Sequence, residues 1–292
     1  MIKRGIGLAA ALAALLAAGP APQSMEAGVA WAKSWDEAKR EAMERNVPIF
    51  FTVQQDENAG CKQMEGAFRD GSFISQSRRV VCVVANPDVK HGIREVMVNK
   101  QKVAYCRAYD GMVCASHVTC QNALENFFKM GGDFDIPCQV WCKPDGTEIF
   151  KMTRFQGYPQ SASEIIKDME RALDRVSGPK LNRNEWVELK NLLRQGEEAT
   201  DKQEYKAALG FFKKVSECKN EKFAKIGKDR HDGLIEQCVS LVARAIRQYE
   251  KAAEGSKQRK EVPPLLKKIA KEMKGNAAGD AAEKALKDLN IK

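Results

Sequence analysis

Two short segments of the chain, Pro48 to Val53 and Arg79 to Val84, are apolar almost throughout. A strand with one wet face alternates polar and apolar residues. A run without a polar phase is covered on both sides, which calls for helices above and below a sheet. The segments between fit that demand. Ser34-Trp35-Asp36-Glu37 has the Ser-x-x-Glu pattern that opens a helix, here running to about Asn46. A second helix is expected from about Asn58, with Cys61, Met64 and Phe68 on one side. Cys120 to Met130 reads as helical, ending at Gly131-Gly132. Cys138 to Cys142 and Glu148 to Met152 read as strands joined by the turn Lys143-Pro144-Asp145-Gly146, and Ser163 to Val176 as an amphipathic helix. Residues 87–118 follow no clear period and are read as an insertion. Strands alternating with helices and closing in a hairpin predict a three-layer α/β domain over 29–176.

The segments VPIFFTV, ENAGCKQMEGAF, RRVVCVVANPD and DIPCQVWCKPDGTEIF together resemble a thioredoxin-like domain, covering about half the chain. The resemblance implies a central mixed sheet flanked by helices, with Pro137 following a cis peptide bond beside the active site. It also implies a Cys-x-x-Cys at a helix N-terminus, whose first thiolate attacks a disulfide and whose second resolves the product. Here the matching residues are Asn58-Ala59-Gly60-Cys61. Asn58 stands where the attacking cysteine belongs, and only the resolving position, Cys61, keeps its sulfur. Asn is a good N-cap, so the helix start survives while the usual nucleophile does not. The resemblance places Cys138, directly after Pro137, near the same corner, and a Cys61–Cys138 disulfide would rebuild a redox pair there.

The insertion concentrates sulfur and imidazole: Cys106, then Cys114, His117 and Cys120 at intervals of three. On a helix His117 lies one turn from each neighbour. With Cys106 the three would complete a tetrahedral set for zinc or Cu(I). The spacing matches no common structural-zinc pattern. Disulfides among Cys82, Cys106, Cys114 and Cys120 are the competing reading, with His117 then an ordinary histidine. The count of nine cysteines is odd, so at least one is free or pairs between chains. Cys218 and Cys238 flank a predicted interhelical loop and could staple it.

Charge divides the chain. From Ser177 onward 26 basic residues face 18 acidic ones, against 22 and 21 before it. Ser177-Gly178-Pro179 reads as a linker to a basic, all-α domain over 177–292. Leu192, Gly196, Tyr205, Ala208 and Phe212 sit at the spacing of one tetratricopeptide-like repeat near 189–222, with further helices at Leu234–Lys251, Pro264–Met273 and Ala281–Leu289. Its lysines are interspersed with glutamates, as on a solvated helical face rather than a nucleic-acid clamp.

Met1-Ile2-Lys3-Arg4 and the Ala/Leu run Ile6 to Ala18 read as a signal peptide over 1–24, with the cleavage point open. Export to a periplasmic or secreted location is the expectation, with no further run long enough to span a membrane. Hydrolase, phosphate-loop and zincin signatures are absent from the sequence. Three functions follow as expectations. The first is thiol/disulfide handling of thiol substrates or protein partners through Cys61. The second is a redox-inactive scaffold binding protein partners. The third is a metal site in the insertion.

Overall fold

The computed structural model describes residues 28–89, 91–98, 101–109, 111–128, 136–152 and 161–291. The expected signal segment 1–24 and the helix end at Met130 to Gly132 lie outside them. Two compact units divide the chain between Trp186 and Val187.

The first unit is α/β. Helix α1 (Trp35–Arg45) starts on Ser34, whose hydroxyl accepts the Glu37 N–H; the Glu37 carboxylate returns to the N–H of Lys33 rather than to that of Ser34 itself. Strand β1 (Ile49–Val53), helices α2 (Ala59–Phe68) and α3 (Gly71–Ser77), and strand β2 (Val81–Ala85) follow. The expected insertion contains a hairpin, β3 (Ile93–Val98) with β4 (Gln101–Cys106), and a short helix α4 (Cys114–Thr119). Cys120–Asn126 is a 3-10 stretch, shorter and tighter than the helix expected there. Strands β5 (Cys138–Cys142) and β6 (Glu148–Met152) and helix α5 (Ala162–Asp174) complete the α/β succession. Ser161 and Glu164 form a reciprocal capping box that starts α5 one residue before the expected Ser163.

The main sheet is mixed, in the order β2-β1-β5-β6, with β1 parallel to β2 and antiparallel to β5. Strands β1, β2 and β5 are buried along their full length, as their apolar runs require. Period-two alternation then assigns side chains to two cores. Phe50, Cys82, Val84 and Trp141 pack with Met64 and Phe68 of α2 and Ile165 and Met169 of α5. Ile49, Phe51, Val83, Cys138 and Val140 pack with Ala38 and Ala42 of α1, Cys120 and Phe127.

The linker expected at Ser177-Gly178-Pro179 belongs to this first unit. Asn46 Nδ2 donates to the carbonyls of Ser177 and Pro179, and buried Arg45 donates to that of Leu181. Arg183 pairs with Glu41, and Trp186 Nε1 donates to Glu44.

The second unit is all helical. Helix α6 (Arg183–Asp201) crosses the division and is followed by α7 (Tyr205–Ser216), α8 (Glu221–Lys251), α9 (Lys257–Glu272) and α10 (Ala277–Asp288). Tyr205, Ala208 and Phe212 of α7 share one core with Leu234, Cys238, Leu266, Ile269 and Ala282. Helix α9 starts on Ser256 and carries Pro263 and Pro264 inside it, so the prolines do not mark its start. Cys218 and Cys238 are not stapled: the Cys218 thiol donates to the Asn220 carbonyl, and Cys238 is buried in the middle of α8.

Gly227 lets α8 press on α7, since a Cβ there would lie 2.4 Å from the Ser216 nitrogen and 2.8 Å from the Val215 carbonyl carbon. Backbone cannot rotate away, so Gly227→Ala should cost about 1–3 kcal/mol by overpacking. Gly233, on the same helix, has nothing within 4 Å of such a Cβ. Gly233→Ala should therefore stabilise by about 0.5–1 kcal/mol. Thermal melts of the two variants should move in opposite directions; the same direction for both would contradict this packing.

No helix among the described residues is long and apolar enough to cross a membrane.

Candidate metal centre

The parallel strands β1 and β2 end side by side, and the segments leaving them carry Asp56 and Asn86. Their carboxyl ends are where open α/β sheets commonly hold ligands. The insertion folds back onto this edge. Four of its side chains, His91, Cys106, Cys114 and His117, bring one ligand atom each to within 4.8 Å of one another. His91 precedes β3, Cys106 ends β4, and Cys114 and His117 share one turn of α4. Cys106 and His117 are buried, while His91 and Cys114 are half-buried and leave one side of the cluster near solvent.

The hydrogen bonds around the cluster fix its chemistry. His91 Nδ1 lies 2.9 Å from both carboxylate oxygens of Asp56, and His117 Nδ1 lies 2.9 Å from the Asn86 carbonyl. Carboxylate and carbonyl oxygens only accept, so both Nδ1 atoms donate. In neutral rings both Nε2 atoms then present lone pairs, and these face each other at 3.2 Å. Two lone pairs at that distance repel unless a proton or a cation lies between them. The Cys114 sulfur is 3.6 Å from His91 Nε2. A tetrahedral ion with metal–nitrogen bonds of about 2.0–2.1 Å and metal–sulfur bonds of about 2.3 Å separates two nitrogens by about 3.3 Å. It separates sulfur from nitrogen by about 3.6 Å. Both observed edges fit that tetrahedron.

Asn86 organises the surroundings. Its side-chain N–H groups donate to Asp56 at 3.0 Å and to the Tyr109 hydroxyl at 2.9 Å, and its backbone N–H donates to the His117 carbonyl. Burial alone would raise the Asp56 carboxyl, but hydrogen bonds from His91 and Asn86 outweigh it and hold it below the ordinary carboxylate value. Burial lowers His117, against the opposing bond to Asn86, which keeps the ring neutral as a ligand must be. The Cys106 thiol is pushed up to about 11 by burial, opposed by the backbone N–H groups of Tyr109 and Ala108. A bound cation would reverse that penalty by favouring the thiolate.

The sequence-expected ligands divide accordingly. Cys106, Cys114 and His117 are brought together, and Cys120 is not. Along a helix each residue turns 100°, so residues six apart lie about 120° from each other around the axis and cannot share one ion. Cys120 is instead fully buried in the core on the α1 side, its thiol pushed up to about 12. Cys82 faces the opposite side of the sheet, so a disulfide set joining Cys82 and Cys120 is not assembled. His91 takes the fourth place. The sequence contains three histidines, and the presence of two in the insertion was the available signal.

At the other predicted corner, the Ile136–Pro137 bond is cis. Asn58 caps α2 by accepting the Gly60 and Cys61 N–H groups, and its Nδ2 donates to the Ile136 carbonyl at 2.9 Å. Asn58, Cys61 and Pro137 thus share a neighbourhood, but Cys138 does not join them. The strand alternates, so Gln139 turns toward α2, where its Nε2 meets Met64 Sδ, and Cys138 packs on the α1 side. Cys61 is an unbridged, buried thiol whose sulfur accepts the Gln55 N–H at 3.2 Å. Desolvation raises it from 9.0 to about 11 despite that bond. Two pKa units leave about 100-fold less thiolate at neutral pH than a free cysteine has. Iodoacetamide should therefore label Cys61 in the folded chain about 100-fold more slowly than in urea. Labelling at equal rates would contradict the burial.

No protein-family model matches the chain, and no curated protein matches it.

Proposed function

We propose that this chain is a metal-binding protein in which His91, Cys106, Cys114 and His117 hold one tetrahedral ion. The observation that carries the reading is the pair of Nε2 atoms facing each other at 3.2 Å, both Nδ1 atoms being committed to acceptors. Two thiols and two imidazoles suit zinc first and Cu(I) second. Four protein ligands leave no open coordination position, so the ion's role is to bind and cross-link rather than to activate water. It ties the hairpin of the insertion to the carboxyl edge of the sheet. The test is metal analysis of tag-free protein after dialysis against zinc and against Cu(I). One ion per chain is expected, and no stoichiometric metal would reject the site. Asp56→Asn should weaken zinc binding about 10–100-fold, the usual effect of losing a group that orients a ligating histidine.

The surrounding domain is read as thioredoxin-like. The parallel β1–β2 pair, the antiparallel β1–β5 pair, the cis bond before β5 and the closing hairpin and α5 support this. Within it the scaffold reading gains over thiol turnover, because the retained Cys61 is buried and poorly ionised. Export remains part of the proposal, as does a protein-binding role for the basic helical unit. A Cys61→Ser chain should match the unaltered one in insulin-disulfide reduction; a large loss of rate would restore the redox reading.

A further inference from the structure

Resting on the metal reading, a second property of the same four side chains can be argued. We propose that Cys106 and Cys114 are a hydroperoxide-reactive thiol pair, and that their disulfide and the metal ion are alternative occupants of one site.

The two sulfurs lie within 4.8 Å of each other in the cluster. A disulfide needs them at about 2.05 Å, so bridging draws the two sulfurs together by less than about 3 Å. The chain between them already turns back on itself, with the Cys106 N–H donating to the Met112 carbonyl at 2.7 Å. The sulfurs differ in access. Cys114 is half-buried and reaches solvent, whereas Cys106 is 2% exposed. Cys114 also has a base arranged beside it: His91 Nε2 at 3.6 Å, with Asp56 on the far nitrogen at 2.9 Å. A nucleophile, a base and a group orienting the base form the usual arrangement of an activated thiol. Of the other cysteines, Cys61, Cys82, Cys120, Cys138, Cys142 and Cys238 are buried, and Cys218 lies in the helical unit, hydrogen-bonded to a carbonyl.

The Cys114 sulfur attacks the hydroperoxide, forming an S–O bond and breaking the O–O bond. The leaving alkoxide takes the thiol proton by way of His91 and departs as an alcohol, or as water from hydrogen peroxide. The Cys106 sulfur then attacks the sulfenic sulfur, forming S–S and breaking S–O, and the departing hydroxide leaves as water with the Cys106 proton. Two thiols lose two electrons, and the hydroperoxide gains them. With both sulfurs in a disulfide, only the two imidazoles remain to hold an ion.

The experiment treats the full chain, stripped with a chelator, with one equivalent of hydrogen peroxide, followed by peptide mapping without reduction. A Cys106–Cys114 disulfide is the expected product. Oxidation elsewhere without that bridge, or sulfinic acid at Cys114, would overturn the proposal. A second arm holds free zinc at about 100 times its Kd, leaving about 1% of the protein metal-free and slowing bridging about 100-fold. Equal rates in the two arms, from a chain that does bind zinc, would overturn the mutual exclusion. A chain that binds no zinc refutes the metal reading, while the metal-free arm still decides the thiol pair. Cys106→Ser should leave a dimedone-trappable sulfenic acid on Cys114; if that variant fails to fold by circular dichroism, the map of the unaltered chain decides alone.

Discussion

Replacing His117 by alanine is expected to weaken zinc binding by more than about 100-fold. Losing a group that only orients a ligand costs roughly 10–100-fold, and His117 is itself a ligand in this reading. It is fully buried, and its Nδ1 is engaged by the Asn86 carbonyl, so its Nε2 is held in place before any ion arrives. That preorganisation is lost with the ring, and water in the vacated space cannot reproduce a fixed nitrogen. Because binding to the folded state stabilises it by mass action, zinc should also raise the melting temperature of the unaltered chain and leave that of the variant nearly unmoved. Isothermal titration and a melt with and without zinc read the two effects separately. A variant that still binds within tenfold would mean that the ion is held by other groups. Cys120→Ser is the control, since Cys120 lies in the core on the α1 side; its zinc affinity should not change.

What the sequence made legible follows burial closely. Strands β1, β2 and β5 were visible because both faces of each are covered, and β6 because a Lys-Pro-Asp-Gly turn leads into it. The β3–β4 hairpin was not visible because two of its apolar residues face solvent and break any inward pattern: Ile93 and Met97 are 55% and 61% exposed. Helix α3 was missed because it buries only Phe73 and Ser77, too little for a periodic pattern. The His/Cys cluster proposed to hold a metal was half legible. Cys114 and His117 share a helical turn, so spacing found them, and it wrongly added Cys120 by extending that helix. His91 comes from a loop before the hairpin, and no spacing links it to the others. Asp56 and Asn86 meet only because β1 and β2 are parallel neighbours. Reading the residues just past the carboxyl ends of predicted parallel strands would have found both.

The same unit contains a buried ion pair whose disruption should have the largest effect on stability. Glu41→Gln is expected to destabilise the α/β unit by about 3–5 kcal/mol, the usual cost of removing one partner from a buried pair. Glu41 is 6% exposed and lies between two guanidinium groups, 2.6 Å from Arg45 and 2.9 Å from Arg183. Arg45 is wholly buried and also donates to the carbonyls of Leu181, Val80 and Arg78. Those carbonyls accept hydrogen bonds from three of its five N–H groups but cannot neutralise its charge. Glutamine keeps the shape of Glu41 and one acceptor, so the variant opens no cavity and isolates the lost charge. It leaves two cations facing each other, one of them without water. The chain's four tryptophans, Trp31, Trp35, Trp141 and Trp186, all precede Val187, so their fluorescence follows this unit alone. In urea the midpoint should fall by roughly 1–2 M, at a slope of about 2–3 kcal/mol/M. Adding Arg45→Met should recover only part of the loss. Removing the second charge relieves the repulsion, but it leaves three carbonyls without their donor, at about 1–3 kcal/mol for each one that stays dry. A loss below about 1 kcal/mol for Glu41→Gln would show that Arg45 does not need its anion and that the carbonyl cage alone holds it.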